Sequence, residues 1–241
     1  MKIFPAIDVL DNRAVRLLYG KRDIVTDYGS PLERAELWLE QGAEYLHMVD
    51  LNGAFDDTII NDKTLKEVIK KVNVPVQLGG GIKSLDKVKY YLEEVGVSRV
   101  IIGSACVTDR AMVENACAKY GDKIACGIDA KNGKVCIKGW VQAVEIGAIE
   151  LALQMKNCEI NTVIYTDITR DGALTGVNVD ATIELQKHTG MNVIASGGMS
   201  NIEDVRKLGQ LGVYGAILGR SIYTGNIDLK EAISEANKYG I

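Results

Sequence analysis

The chain has 241 residues, 47% of them hydrophobic and 25% charged, and a formal net charge of -4. This composition suits a folded domain with a sizeable core and excludes an intrinsically disordered chain. It contains neither a basic run typical of nucleic-acid binding nor a stretch of about 18 apolar residues that could span a membrane. The five cysteines are an odd number without Cys-x-x-Cys spacing, so we expect neither a disulfide framework nor a metal site.

Short apolar runs alternate with helical patterns from one end of the chain to the other. The first run follows Met1-Lys2 directly, without a signal peptide, so we expect a cytoplasmic protein. Continuous apolar runs are typical of parallel strands that are covered on both faces. Eight strand–helix units in about 250 residues predict one (β/α)8 barrel over residues 1–241, with a doubly wound sheet as the alternative. The predicted strands are Ile3–Ile7, Tyr45–Val49, Val74–Leu78, Val100–Ile102, Ile124–Ile128, Thr162–Tyr165, Val193–Ala195 and Ala216–Leu218.

Local signals mark the ends of several predicted helices. Ser30 is followed by a proline and, three residues on, by a glutamate, which predicts an N-cap with a capping box, and Gly42 ends this helix. Ser84 and Thr108 are predicted as N-caps, and Gly121 is predicted to end the fourth helix. These boundaries fall between the predicted strands, as alternating strand–helix units require.

The large and titratable side chains outside the strand ends have simple interpretations. His47 lies in a predicted strand and is expected to be a buried core residue rather than a base. His188 is expected to follow a helix at the surface. Trp38 follows helical spacing and is predicted to serve in packing.

The two halves of the chain repeat each other. Several motifs recur in the same order, at offsets between 116 and 121 residues. Such self-similarity predicts two half-barrels of shared origin, at about residues 1–121 and 122–241. The matched pairs are Asp8 with Asp129, Asp50 with Asp167, Gly80 with Gly197, Gly81 with Gly198, and Gly103 with Gly219.

Glycine loops follow four of the predicted strands, at the end of the barrel where this fold places its active site. Small residues let backbone N–H groups approach an anion, and a helix N-terminus adds partial positive charge. We therefore expect one phosphate site in each half, and a small-molecule substrate with a phosphate at each end. The first site takes Gly80, Gly81, Lys83, Gly103 and Ser104, and the second takes Gly176, Gly197, Gly198, Gly219 and Arg220.

Carboxylates lie between the two predicted phosphate sites. Asp8 and Asp129 are expected to face each other across the mouth, where they could take opposite proton-transfer roles, or each could cap its own loop. Thr166 offers a hydroxyl at a strand end. Asp171 lies in an Asp-Gly turn that could close over a ligand. Trp140 is expected to stack on a flat ring as a lid, or to plug the mouth as a hydrophobic residue.

Seven segments that span the chain resemble a family of histidine-biosynthesis isomerases, which open the phosphoribosyl ring of a formimino-aminoimidazole carboxamide ribotide. The cyclase subunit of imidazole glycerol phosphate synthase shares the half-barrel repeat, but it usually starts with a Cys-Leu-Asp-Val type strand, where this chain has Ala6-Ile7-Asp8-Val9. The isomerase family is therefore preferred. The segments are Phe4–Asp8, Val49–Leu51, Gly79–Ile82, Gly127–Asp129, Lys138–Trp140, Tyr165–Ile168 and Arg170–Gly172.

The resemblance implies an Amadori rearrangement of an aminoaldose to an aminoketose. An acid protonates the ring oxygen, and a base then removes the C2′ proton of the opened Schiff base. By resemblance Asp8 is the base and either Asp129 or Asp171 is the acid; we expect Asp129 to be required and Asp171 to assist. No cofactor is implied, because the substrate nitrogen serves as the electron sink. The chain has Lys83 where the family commonly has arginine.

Three alternatives remain open at this point. The chain could be the cyclase, which needs a glutaminase partner or ammonia, whereas the isomerase has no obligate protein partner. It could be a dual enzyme that also isomerises phosphoribosylanthranilate. It could also be a catalytically silent barrel that binds phosphosugars, although the intact carboxylate pair argues against this.

Overall fold

A computed structural model describes residues 1–56 and 58–240, and it contains a closed barrel of eight parallel strands. The described residues form twelve strands: β1 (Lys2–Leu10), β2 (Arg13–Leu18), β3 (Lys21–Asp27), β4 (Leu46–Asp50), β5 (Val76–Gly79), β6 (Arg99–Ile102), β7 (Ile124–Lys131), β8 (Lys134–Ile137), β9 (Gln142–Gly147), β10 (Thr162–Asp167), β11 (Asn192–Ser196) and β12 (Gly215–Leu218). Strands β1, β4, β5, β6, β7, β10, β11 and β12 pair in parallel in that order, and β12 pairs with β1. The predicted (β/α)8 barrel is confirmed, and the doubly wound sheet is excluded.

Helices surround the barrel and connect its strands. None of the described helices has both the length and the apolar character needed to cross a bilayer. A π-helical segment, Tyr90–Val95, follows α4, and a 3-10 turn, Gly121–Lys123, follows α6. The helices are α1 (Pro31–Glu40), α2 (Leu51–Asp56), α3 (Asp62–Lys71), α4 (Leu85–Lys89), α5 (Ala105–Thr108), α6 (Arg110–Tyr120), α7 (Ala148–Lys156), α8 (Val179–Thr189), α9 (Ile202–Gln210), α10 (Arg220–Tyr223) and α11 (Leu229–Asn237).

Most of the predicted helix ends are confirmed, and one is wrong. Ser30 and Ser84 are N-caps whose hydroxyls accept bonds from backbone N–H groups three residues on, and Gly121 follows the last residue of α6. Thr108 is not an N-cap, because its hydroxyl donates back to the Ser104 carbonyl inside α5. The next residue, Asp109, caps α6 instead by accepting from the Met112 N–H at 3.0 Å.

Each of the eight predicted strands overlaps one barrel strand, but the structure adds two antiparallel hairpins. Strand β1 continues into β2 and β3, and β7 continues into β8 and β9. In the closed order of the barrel, β1 and β7 are four steps apart in either direction, so they lie on opposite sides. The two hairpins therefore rise from opposite sides of the mouth.

Two hydrophobic layers hold the barrel together. The larger layer lies between the strands and the surrounding helices, and it includes Trp38, as predicted. His188 lies in the last turn of α8 rather than after it, and it is exposed as expected. A smaller layer fills the inside of the barrel, so that the site rests on a packed floor rather than a pore. Its buried members are Phe4, Ala6, Ile101, Ala125, Ile164, Ile194 and Ile217.

Candidate active site

A cavity of about 240 Å³ opens at the C-terminal ends of the barrel strands. It brings together all four predicted catalytic residues, the predicted tryptophan and the predicted phosphate residues of the first half. Opposite strands β1 and β7 supply one carboxylate each, and β10 with its following loop supplies the hydroxyl and the third carboxylate. These residues are Asp8, Gly80, Gly81, Lys83, Gly103, Ser104, Asp129, Trp140, Thr166 and Asp171.

Asp8 is paired with a buried cation. Arg16, in hairpin strand β2, places its Nη1 atom 2.8 Å from Asp8 Oδ2, and the two side chains are 11% and 16% exposed. Burial raises the pKa of the Asp8 carboxyl, and the charge of Arg16 opposes that rise. The guanidinium therefore favours the ionised form of a carboxylate that burial alone would neutralise.

Asp129 is held by hydrogen bonds. The Trp140 indole Nε1–H donates to Asp129 Oδ2 at 2.7 Å, and Thr166, the register partner of Asp129 in β10, also bonds to it. Burial raises the pKa of Asp129, while both hydrogen bonds oppose that rise. Trp140 packs so closely on Gly20 that a Cβ at this glycine would lie 2.3 Å from the indole ring. The tryptophan therefore links Asp129 to the opposite hairpin.

The pKa of the third carboxyl, that of Asp171, is raised as well. Burial raises the pKa of its carboxyl to about 6, Arg16 opposes this, and the charges of Asp8 and Asp129 add to it. The Asp171 carbonyl accepts a bond from the Tyr19 N–H at 3.2 Å, which ties this loop to the β2–β3 hairpin. Asp171 therefore keeps a protonated fraction near neutral pH, as a proton donor requires.

The glycine loops of the two halves are built on the same backbone contacts. Each has two successive glycines with positive φ, and a Cβ at either glycine would strike the backbone of the preceding strand end or of the segment that follows it. The closeness explains why only glycine fits. The distances from an added Cβ to the nearest carbonyl oxygen would be 2.2 Å for Gly80 to Asp50, 2.8 Å for Gly197 to Asp167, 2.0 Å for Gly81 to Gly53, and 2.4 Å for Gly198 to Gly176.

The predicted phosphate residues of the second half do not line the main cavity. Gly197, Gly198, Gly219 and Arg220 line a separate cavity of about 20 Å³, which has room for about one water molecule. The Arg220 Nη1 atom donates to the carbonyl of Gly172 at 2.6 Å. The Arg16 guanidinium lies against Gly219, and Gly176 lies outside both cavities. Arginine side chains thus fill the second predicted site.

Comparison with known proteins assigns the family. The family described as "Histidine biosynthesis protein" matches residues 2–228. This chain belongs to that family. Among relatives in it, the chain is 46% identical to a Listeria innocua protein over 97% of both chains. It is 47% identical to a Ruminiclostridium cellulolyticum protein, over 97% of this chain and 99% of that protein. It is 43% identical to a Clostridioides difficile protein, over 96% of this chain and 97% of that protein. All three relatives are named 1-(5-phosphoribosyl)-5-((5-phosphoribosylamino)methylideneamino)imidazole-4-carboxamide isomerase.

Membership of the histidine biosynthesis protein family confirms the resemblance drawn from the sequence motifs. Two titratable side chains that line the cavity, Arg16 and His47, were not predicted to be in the site. His47 is buried as expected, but it also forms part of the cavity wall. Among the residues that the structure describes, no cluster of His, Cys, Asp and Glu side chains is arranged to hold a metal ion.

Proposed function

We propose that this chain is the isomerase for which its relatives are named. It would convert the phosphoribosylamino group of the substrate, an aminoaldose, into the corresponding aminoketose. The observation that carries the proposal is the placement of half-buried Asp8 and Asp129 on opposite barrel strands in one cavity, with Asp171 beside them. The rearrangement moves protons within one molecule without net oxidation, so acid–base side chains are sufficient for it.

Asp8 is proposed as the base that removes the C2′ proton. Its side chain projects from barrel strand β1, which continues to Leu10, and the adjacent Arg16 favours the ionised form that a base requires. Removal of this proton from the Schiff base gives an enolamine. Protonation at C1′, with loss of the proton from the 2′-hydroxyl, then yields the ketose. The rigid strand suits a group that must stay within hydrogen-bond reach of one proton.

Asp171 is proposed as the acid that protonates the ring oxygen. Its pKa of about 6 leaves a protonated population near neutral pH, which the ring-opening step requires. Asp129 already accepts the Trp140 N–H, so we assign it the task of positioning the indole and the substrate beside Thr166. This assignment gives Asp171 a larger role than the sequence motifs suggest.

The substrate's two phosphates are proposed to bind the two glycine-loop sets. The first set already lines the main cavity, with the cationic Lys83 at its rim. The second set is filled by arginine side chains, so a phosphate there requires Arg220 to leave the Gly172 carbonyl. The released guanidinium would then be available to pair with the phosphate.

Replacing Gly103 by alanine tests the first phosphate site without disturbing the fold. A Cβ at Gly103 would have no atom within 4 Å, whereas a side chain at Gly81 would strike backbone. We expect Gly103→Ala to keep the melting temperature and to raise KM roughly 10-fold, because the methyl group keeps the phosphate from the backbone N–H groups. Gly240→Ala, at an equally open glycine outside the cavity, is the control. An unchanged KM in Gly103→Ala would place the phosphate elsewhere.

A turnover assay tests the function as a whole. The purified chain is given the phosphoribosylformimino substrate of its relatives, phosphoribosylanthranilate, and the phosphoribulosyl product with ammonia, in separate reactions. Turnover of the first substrate alone supports the isomerase. Turnover of the second as well identifies a dual isomerase, turnover of the third identifies a cyclase, and binding without turnover identifies a silent phosphosugar-binding barrel.

A further inference from the structure

We propose that His47 donates a hydrogen bond to the substrate through an Nε2–H proton, whose position Gln77 and Arg99 fix. The identity of the acceptor rests on the proposed function, because the substrate must be the phosphoribosyl compound. The position of the proton on the imidazole is a property of the protein alone. The two parts of the proposal can therefore be tested separately.

The position of His47 in the barrel puts its ring beneath the proposed base. His47 pairs with Ala6 in the register of β4 and β1, and Val49 pairs with Asp8 one layer higher. Side chains two residues apart on a strand share a face, and all four residues line the main cavity. The imidazole, which is only 8% exposed, thus forms part of the floor under the Asp8 carboxylate.

Two neighbouring side chains determine which ring nitrogen carries the proton. The Arg99 guanidinium can only donate, and its Nη1 atom lies 3.4 Å from Gln77 Oε1. The opposite amide orientation would set the Gln77 NH2 group against the guanidinium, donor against donor. Gln77 Nε2 therefore faces His47 Nδ1, at 3.1 Å, and must donate to it. Nδ1 is then the acceptor, and the proton of the neutral ring is on Nε2.

The ring stays neutral over the pH range in which the protein would work. Burial, together with the positive charge of Arg16, lowers the pKa of His47 to about 3. Arg16 acts on the ring from the cavity side, its partner Asp8 lies one layer above, and Arg99 lies behind Gln77. Nε2 makes no hydrogen bond with any residue that the structure describes, so its partner must come from what enters the cavity.

An uncharged N–H donor at this depth suits a sugar oxygen. It can bind and polarise the oxygen that becomes the ketone, while a ring that resists protonation does not compete with Asp171 for the role of acid. Unlike a lysine, it adds no charge that would shift the pKa of Asp8. His47 would therefore fix the position of the opened sugar over the base.

Nuclear magnetic resonance can read the tautomer directly on the substrate-free protein. The chain has two histidines, and His188 is exposed on α8 outside the cavity, so His188→Gln leaves a single imidazole. With 15N-labelled histidine, long-range proton–nitrogen correlations should show Nε2 protonated and Nδ1 bare, unchanged from pH 8 to pH 5. A proton on Nδ1, or an imidazolium at pH 6, would overturn the tautomer assignment.

Substitutions then test whether the donor acts on the substrate. His47→Leu removes the donor, and His47→Gln keeps an amide N–H near the Nε2 position. In Gln77→Glu, the new carboxylate accepts a hydrogen bond from Nδ1–H, which holds the proton on Nδ1 and reverses the tautomer. We expect kcat/KM to fall roughly 10- to 100-fold in His47→Leu and Gln77→Glu, and less in His47→Gln.

The outcomes separate this inference from the proposed function. A wild-type kcat/KM in folded His47→Leu would overturn the donor role. If that variant does not fold, Gln77→Glu decides, because its reversed tautomer can be observed beside its rate. A wild-type chain that turns over none of the phosphoribosyl substrates would overturn the proposed function, and the donor role with it. The tautomer measured without substrate would stand.

Discussion

Replacing Asp8 by asparagine should lower kcat by roughly 10²- to 10⁴-fold and leave substrate binding largely intact. The amide has the shape of the carboxylate, and its oxygen can still accept a bond from Arg16, which lies 2.8 Å from Asp8. It cannot take the C2′ proton, so only the chemical step should suffer. Steady-state kinetics and the dissociation constant of the substrate measure the two effects separately.

Asp11→Asn is the matched control for this variant. Asp11 follows the same strand, is exposed, and accepts a hydrogen bond from the Asn52 side chain that an asparagine oxygen can also accept. Its φ of 50° is one that asparagine adopts readily. The control should turn over at the wild-type rate. Wild-type kcat in folded Asp8→Asn would show that another group is the base.

The barrel could be predicted because its signals are local. Apolar runs such as Val193–Ala195 mark buried parallel strands, and each overlaps a barrel strand in the structure. The hairpin strand Lys21–Asp27 could not be found in this way, because all of its side chains are exposed and it lacks a buried face. Its pairing with β2 decides its conformation.

The carboxylates of the cavity could be predicted, but their electrostatic partners could not. Asp8 and Asp129 hold matched positions in the sequence repeat, although each strand continues two residues beyond its aspartate. Arg16 reaches Asp8 only because β2 folds back antiparallel on β1. His47 gains a defined proton through Gln77, which is 30 residues away in the sequence. Such contacts depend on three-dimensional placement, for which a single sequence carries no local signal.

The residue that opens the sugar ring is identified by comparing Asp171→Asn with Asp129→Asn. On the natural substrate we expect Asp171→Asn to lose roughly 10²- to 10⁴-fold in kcat/KM, because it removes the proton donor. On an analogue whose ribose ring is already open, this variant should recover most of its rate. Asp129→Asn should stay slow on both substrates, since it weakens the bond that holds Trp140 at 2.7 Å.

The pH dependence gives a second test of the same assignment. An acid must be protonated, so wild-type kcat/KM should fall as the pH rises above about 6, the pKa of Asp171. Asp171→Asn has no such proton, so the residual kcat/KM of this variant should not fall as the pH rises above about 6. If the fall in kcat/KM above about pH 6 persists in Asp171→Asn and disappears in Asp129→Asn, the two roles must be exchanged.

Stability provides a readout that does not depend on turnover. The pKa of Asp171 is raised from 3.8 to about 6 in the folded chain, so folding takes up a proton in this range. The stabilising contribution is complete below pH 4 and is lost as the pH rises through 6. Asparagine has no charge to bury, so Asp171→Asn should be more stable than wild type by roughly 1–3 kcal/mol at pH 8 and about equal to it at pH 4. Denaturant unfolding at both pH values measures this difference. An equal stability of wild type and Asp171→Asn at pH 8 would mean that Asp171 is ionised at little cost and is a poor acid.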